Sequence, residues 1–294
     1  MTPRIAVLGV GGVGGMVAVR TGAICVGTGR TVGAIRGSGL TLVHGETTTV
    51  ARPEAVERLE TPVGLLVVAV KAYDLSAALD RIAPEALGGA LVLPLLNGLE
   101  HVDVIRGRFR AVVAAGSIGR LEVFTSEPGV VVQRSAGNAV VNVASRELGR
   151  SALDAALEPL RVPGIDVVIG DDERAVLWEK VARLAVLAAA TVASSLAVGP
   201  LRADDAWRPR IVDALRESCA VAAADGVALD AAAQWGIIGA MPDDLTTSAA
   251  RDAATGRPTE LDAITGSVVR AGARLGVPTP ELAALLEEAA CRAR

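Results

Sequence analysis

The sequence predicts an α/β chain in two parts: a parallel-sheet domain over residues 1–170, then an all-α domain over residues 171–294. Three observations carry this prediction. Short β-branched runs alternate with helical stretches through the first half, a glycine-rich turn directly follows the first of those runs, and no convincing strand remains after Gly170. Strand and helix in alternation imply βαβ units around a parallel sheet. A chain of 294 residues is long enough for two such domains.

Arg4 to Gly9 reads as the first strand, followed by the glycine-rich turn and a helix to about Thr21. Ala23 to Gly27 can form a second strand. Leu65 to Val70 is a continuous apolar run of the kind buried on both faces of a parallel sheet. Ala90 to Leu95 and Ala111 to Ala115 are further strands, with helices starting near Asp74 and Leu99 between them. From Leu121 to Ala144 the strands are closely spaced, with turns at Glu127–Gly129 and Ala136–Asn138, which predicts an antiparallel extension at the sheet's edge. A helix over Ser151–Leu160 and a strand over Ile165–Ile169 complete the first part.

The second part opens with Asp171, Asp172 and Glu173, acidic residues suited to cap a helix and oppose its dipole. A long helix to about Val198 is expected, then helices near 204–225, 230–239, 259–275 and 280–292. Leu184 to Leu201 carries no charge, but it is rich in alanine and ends in Gly199-Pro200. A membrane span needs about 20 strongly apolar residues, so a buried helix is the better reading.

Composition narrows the function classes. Net charge is −4, with Lys and Arg scattered, which gives no footprint for nucleic acid. Cys25, Cys219 and Cys291 show neither paired nor metal-type spacing, as expected for thiols in a reducing cytoplasm. The apolar start, Ile5 to Val19, is cut by glycines and lacks the look of a signal peptide. A cytoplasmic protein, monomeric or homodimeric, without membrane or nucleic-acid partners and acting on a small molecule, is the expectation.

Gly9-Val-Gly11-Gly12-Val13-Gly14 has the G-x-G-x-x-G form after a strand and at a helix start. The first glycine makes a tight turn and the second lets backbone approach a pyrophosphate. The third brings helix and strand together, with the helix N-terminus facing the anion. Residues Gly9, Gly11, Gly12, Val13 and Gly14 are therefore candidates for dinucleotide binding. An NAD site usually carries an acid about 20 residues on. The region here reads Val26-Gly-Thr28-Gly-Arg30, so Arg30 is the candidate partner of a 2′-phosphate and NADP(H) the expected cofactor. Lys71 and Asn97 each follow a predicted parallel strand, where such sheets bind ligands.

Several blocks together resemble the ketopantoate reductase (2-dehydropantoate 2-reductase) family. They are the glycine turn, Val70-Lys71-Ala72-Tyr73, Leu96-Asn97-Gly98-Leu99-Glu100, the run from Gly164 through Trp178-Glu179-Lys180, and Thr247-Ser248 through Gly256-Arg257-Pro258-Thr259-Glu260. The resemblance implies a Rossmann-type domain, an all-α partner domain and NADPH-dependent reduction of a 2-oxo acid, in the namesake case within pantothenate biosynthesis. It implies Lys180 as general acid and Glu260 beside it, Ser248 on the substrate carboxylate, and Asn97 ordering substrate and nicotinamide. Glu260 is expected near the cofactor as well.

Two departures bear on cofactor and substrate. The family's 2′-phosphate arginine aligns with Thr28, two residues before Arg30. The asparagines that family members carry four and eight residues beyond the lysine are Leu184 and Ala188 here. These positions share a helix face with Lys180, so an apolar face favours a substrate without polar side groups. A reductase of a more apolar carbonyl or imine, or a non-catalytic dinucleotide-binding relative, are the alternatives. Each candidate also has an ordinary structural reading: Lys180 on a solvated helix face, Ser248 at a helix start, Glu260 in a first turn after Thr259, Arg30 in a solvated loop.

Overall fold

The computed structural model describes residues 4–293. They form two compact units, one of residues up to Leu96 with His101–Val176, the other of Asn97–Glu100 with the chain from Leu177 onward.

The first unit runs β1 (Ile5–Leu8), α1 (Gly12–Thr21), β2 (Ile24–Val26), α2 (Gly29–Ser38), β3 (Leu40–His44), β4 (Thr47–Ala51), β5 (Ala55–Val56), β6 (Leu65–Val68), α3 (Leu75–Leu79) and β7 (Leu91–Pro94). It continues with α4 (His101–Arg108), β8 (Val112–Val113), β9 (Ala115–Gly119), β10 (Val123–Glu127), β11 (Val130–Gln133), β12 (Ala139–Ala144), α5 (Arg150–Leu157) and β13 (Ile165–Ile169). Its main sheet has six strands in the order β5-β2-β1-β6-β7-β8, every pair parallel. β1, β6 and the start of β7 are buried on both faces, which is why they read as unbroken apolar runs. The chain winds outward in opposite directions from β1 and β6, so the topological switch point lies between the ends of those strands.

The remaining strands depart from the expected edge extension. They form two separate sheets, β10-β11-β3-β4 and β13-β12-β9. Pairing is mixed, since β11 lies parallel to β3 and β12 parallel to β13. The turn at Glu127–Gly129 dictates only that β10 and β11 pair as a hairpin. Their other partners are distant in sequence, and alternation alone does not name them. The hairpin of β3 and β4, turning at Gly45 with φ +59, has no counterpart in the sequence reading.

The helical unit holds α6 (Glu173–Ser194), whose first turn belongs to the other unit, then α7 (Val198–Ala203), α8 (Trp207–Ala224), α9 (Ala231–Gly239), α10 (Ser248–Ala254), α11 (Ser267–Leu275) and α12 (Pro280–Arg292). No strand lies beyond Ile169 among the described residues. The expected run of α6 to Val198 stops at Ser194. The Ser194 hydroxyl donates back to the Ala190 carbonyl, and Ser195 takes the left-handed conformation at φ +61. Residues Ala185 to Val192 are all buried, as a core helix requires. Among the described residues no helix is long and apolar enough to cross a membrane.

The boundary falls after Val176 rather than after Gly170 because the first turn of α6 is tied into the first unit. Asp172 caps that turn by accepting from the Ala175 amide at 2.9 Å. Glu173 accepts from Arg106 at 2.6 Å and from the Arg146 amide at 2.9 Å. Arg106 and Glu173 keep only 14% and 13% side-chain exposure, so either charge left alone is poorly solvated. Arg106→Ala is expected to lower the unfolding free energy by about 2 kcal/mol, measured by urea unfolding. A loss below about 0.5 kcal/mol would place the pair with ordinary surface ion pairs.

Candidate active site

Three glycines shape the turn after β1, each for a different reason. Gly9 has φ +93, and a Cβ there would meet Val70 Cγ1 at 2.5 Å. A Cβ on Gly14 would sit 1.9 Å from the Gly9 carbonyl oxygen. Gly11, by contrast, is exposed and a Cβ on it would meet nothing within 4 Å. Two positions are closed by the protein itself, and the middle one opens outward at the N-terminus of α1. That is the arrangement a pyrophosphate needs, and no acidic residue stands in the first turn to oppose it. Gly12 backs onto β10, where a Cβ would meet the Val123 carbonyl oxygen at 2.8 Å, and Val13 is partly buried. The residues present therefore fit a dinucleotide.

Lys71 is partly buried and directly precedes a turn of 3₁₀ helix, Ala72–Asp74, in the segment following β6. Arg30 is exposed in the first turn of α2, two residues after Thr28, which precedes that helix. Both stand at the carboxyl end of the main sheet.

In the helical unit, Trp178 orients α6. Its ring is buried and its Nε1 donates to Asp225 at 2.8 Å. Two residues further on, about 200° around the helix, Lys180 faces the other way. Its Nζ donates to Asn97 Oδ1 at 2.9 Å. Asn97 is seated by its neighbour: Gly98 has φ +100, and a Cβ there would lie 2.1 Å from the Ala263 carbonyl oxygen. Only glycine permits that approach to the π-helical turn Asp262–Gly266, which follows Glu260 in the chain. Arg270 clamps the same junction, donating to both Glu100 carboxylate oxygens at 2.9 and 2.8 Å and to Asp262 Oδ1 at 2.8 Å.

Glu260 is buried. Burial pushes the Lys180 ammonium down to about 8, the Glu260 carboxylate partly opposes that fall, and Arg183 adds to it. Thus Asn97, Lys180 and Glu260 come together. Arg270 belongs to their support and has no sequence signal, since it lies eight residues beyond Asp262 in an ordinary helical pattern.

Ser248 is the first residue of α10. The preceding Thr247 caps that helix, accepting from the Ala250 amide at 3.1 Å, and its hydroxyl is 2.7 Å from that of Thr191. Thr191 continues the α6 stripe of Lys180 and Leu184. Ser248 thus directly follows the residue that meets Thr191 on this stripe. Leu184 keeps some accessible surface, whereas Ala188 has none. Ala188 lies in the stretch from Ala185 to Val192 that is buried throughout. The Thr191–Thr247 contact, which the sequence pattern does not announce, ties α6 to the start of α10.

Residues 5–146 match the family described as Ketopantoate reductase PanE/ApbA, and residues 172–291 match its C-terminal counterpart, Ketopantoate reductase PanE/ApbA C terminal. A 2-dehydropantoate 2-reductase of Caulobacter vibrioides is 32% identical over 239 residues, 78% of each chain. The chain belongs to the ketopantoate reductase family. It is accordingly an NAD(P)H-dependent oxidoreductase that reduces a carbonyl group of a small molecule. Among solved structures, the PanE/ApbA family ketopantoate reductase of Ralstonia eutropha JMP134 is 28% identical, with a TM-score of 0.86 over 99% of this chain and 98% of that one. D-mandelate dehydrogenase, solved with NADH and anilino(oxo)acetate, shares the fold at a TM-score of 0.87 and 21% identity, covering 99% of this chain and 98% of its own.

Within this family member the titration of Lys180 is directly measurable, because Lys71 and Lys180 are the only lysines in the sequence. After reductive methylation with ¹³C-formaldehyde, the Lys180 signal, assigned with Lys180→Arg, is expected to titrate near 8. Glu260→Gln removes the charge that favours the ammonium and should move the midpoint lower. A midpoint at the ordinary value of 10.5 would show that burial does not act on this amine.

Proposed function

We propose that the chain catalyses NADPH-dependent reduction of a small 2-oxo acid bearing an apolar side group, with Lys180 as proton donor. The observation that carries this reading is the seat of Lys180, an ammonium held 2.9 Å from Asn97 with its proton affinity lowered to about 8. A nicotinamide held by the glycine turn would supply hydride to the carbonyl carbon. As it arrives the carbonyl oxygen gains charge and needs a positioned proton. Lys180 donates it from Nζ, Asn97 holds that nitrogen in place, and the buried Glu260 keeps the amine protonated near neutrality. Ser248 anchors the substrate carboxylate, and Leu184 lines the space toward it.

Sequence composition supports the role of Lys180. Of 29 basic side chains, 27 are arginine. Arginine holds its proton at any ordinary pH, whereas a desolvated lysine gives one up. Lys180 is thus one of only two basic side chains able to give up a proton at ordinary pH, the other being Lys71. Arg30 and the absence of acid at the end of β2 support NADPH, and Gly9, Gly11, Gly12, Val13, Gly14 and Lys71 are proposed to hold the nucleotide.

The substrate class follows from Leu184. A hydroxylated side group beside it would leave its hydroxyl unpaired, at a cost of about 1–3 kcal/mol.

NADPH oxidation with ketopantoate and a panel of aliphatic and aromatic 2-oxo acids tests the reading. Lys180→Ala is expected to lose about 10²- to 10⁴-fold in kcat while still binding NADPH, and Lys180→Arg should not restore it. Wild-type kcat/KM for reduction should fall as pH rises through about 8, since the donor must be protonated. Retained activity in Lys180→Ala would remove the lysine from the chemistry. Leu184→Asn should shift preference toward hydroxylated substrates by roughly tenfold; an unchanged preference would count against the apolar substrate class.

A further inference from the structure

In an open α/β sheet the adenosine ribose lies beyond the end of the second strand, where an acid selects its hydroxyls and an arginine a 2′-phosphate. Here β2 ends without an acid, but the neighbouring strand provides one. β5 pairs in parallel with β2, Cys25 beside Ala55 and Val26 beside Val56, so Glu57 follows in register beside Gly27. Three hydrogen bonds hold that register at the strand ends. The Gly27 amide donates to the Val56 carbonyl at 3.1 Å. Arg81 Nη1 donates to the carbonyls of Gly27 and Glu57, each at 3.3 Å. From this anchor the Glu57 side chain reaches over the first turn of α2. A Cβ on Gly29 would meet Glu57 Oε1 at 3.2 Å and Oε2 at 3.4 Å. Glycine at this position leaves room for the carboxylate, and Arg30 is the next residue on the same turn.

We propose that Glu57 is the nucleotide-selecting acid of this chain. Its carboxylate accepts hydrogen bonds from the ribose hydroxyls of an unphosphorylated dinucleotide and repels the 2′-phosphate that Arg30 attracts. A 2′-phosphate carries close to two negative charges, by analogy with other phosphate monoesters. At the N-terminus of α2 it would compete with Glu57 for the same positive helix end. The two side chains act as opposed determinants, so NADH remains usable beside NADPH. The assignment rests on the proposed dinucleotide reading of this unit and adds to it the residue that sets nucleotide preference.

The test is nucleotide binding, independent of turnover. NADPH and NADH are titrated by fluorescence, at low salt, into the wild type, Glu57→Gln and Arg30→Ala, with thermal unfolding to verify folding. Glu57→Gln is expected to raise the ratio of NADPH to NADH affinity by roughly fivefold, and Arg30→Ala to lower it. The gain in Glu57→Gln should shrink in high salt, because both groups are exposed. Glu60→Gln, an exposed carboxylate three residues further on, should leave the ratio unchanged. Equal ratios in wild type and Glu57→Gln, with both nucleotides binding, would overturn the assignment. If the folded wild type binds neither nucleotide, the dinucleotide reading itself fails and the assignment with it.

Discussion

Where Gly14 meets Gly9 and Gly98 meets Ala263, backbone approaches backbone so closely that only glycine fits, and both candidate sites are arranged around those approaches. In the first unit, α1 lies on β1 because Gly14 has no Cβ to strike the Gly9 carbonyl oxygen 1.9 Å away. That contact aims the helix N-terminus at the end of the sheet, beside the switch point between β1 and β6. In the helical unit, Gly98 does the same against Ala263, and Asn97 is thereby presented to Lys180. Substituting either glycine by alanine adds a carbon where the backbone already stands, and the displaced segment carries a functional group with it.

The two approaches serve different chemistry. The first produces an open concavity of backbone amides at Gly11, suited to an anion and indifferent to which small molecule is reduced. The second produces a half-buried polar cluster in which desolvation and the charge of Glu260 act against each other on one amine. Because desolvation is the larger effect, the amine titrates close to neutrality rather than near 10.5. Arg270 keeps the cluster assembled by bridging Glu100 and Asp262, so an ion-pair network supports a site whose own lysine gives up its proton more readily than an ordinary one.

Much of this was legible in the order of residues, and the illegible parts have physical causes. The buried strands read clearly because burial on both faces leaves no polar positions. Lys180, Asn97 and Glu260 were found through their blocks, while the imbalance of two lysines among 29 basic residues was an available signal left unused. The burial of Ala188 is not legible in the sequence, because helical periodicity tells which face a residue shares, not where along the axis that face becomes covered. The place of Glu57 beside Gly29 leaves no signal along β2, because it follows from the pairing of β5 with that strand. The partners of β3, β11 and β12 were equally out of reach, since mixed pairing between distant strands leaves no local pattern.

The sequence by itself determined the two-part α/β and all-α architecture, the glycine turn and the residues able to donate a proton, because each depends on local periodicity, on missing side chains or on intrinsic chemistry. Tertiary structure alone decided which of those residues meet, which stretch of α6 stays accessible and what lies over the first turn of α2. Those outcomes depend on strand register and on packing between segments far apart in the chain, and the free energy of such contacts belongs to the folded arrangement rather than to any stretch of residues.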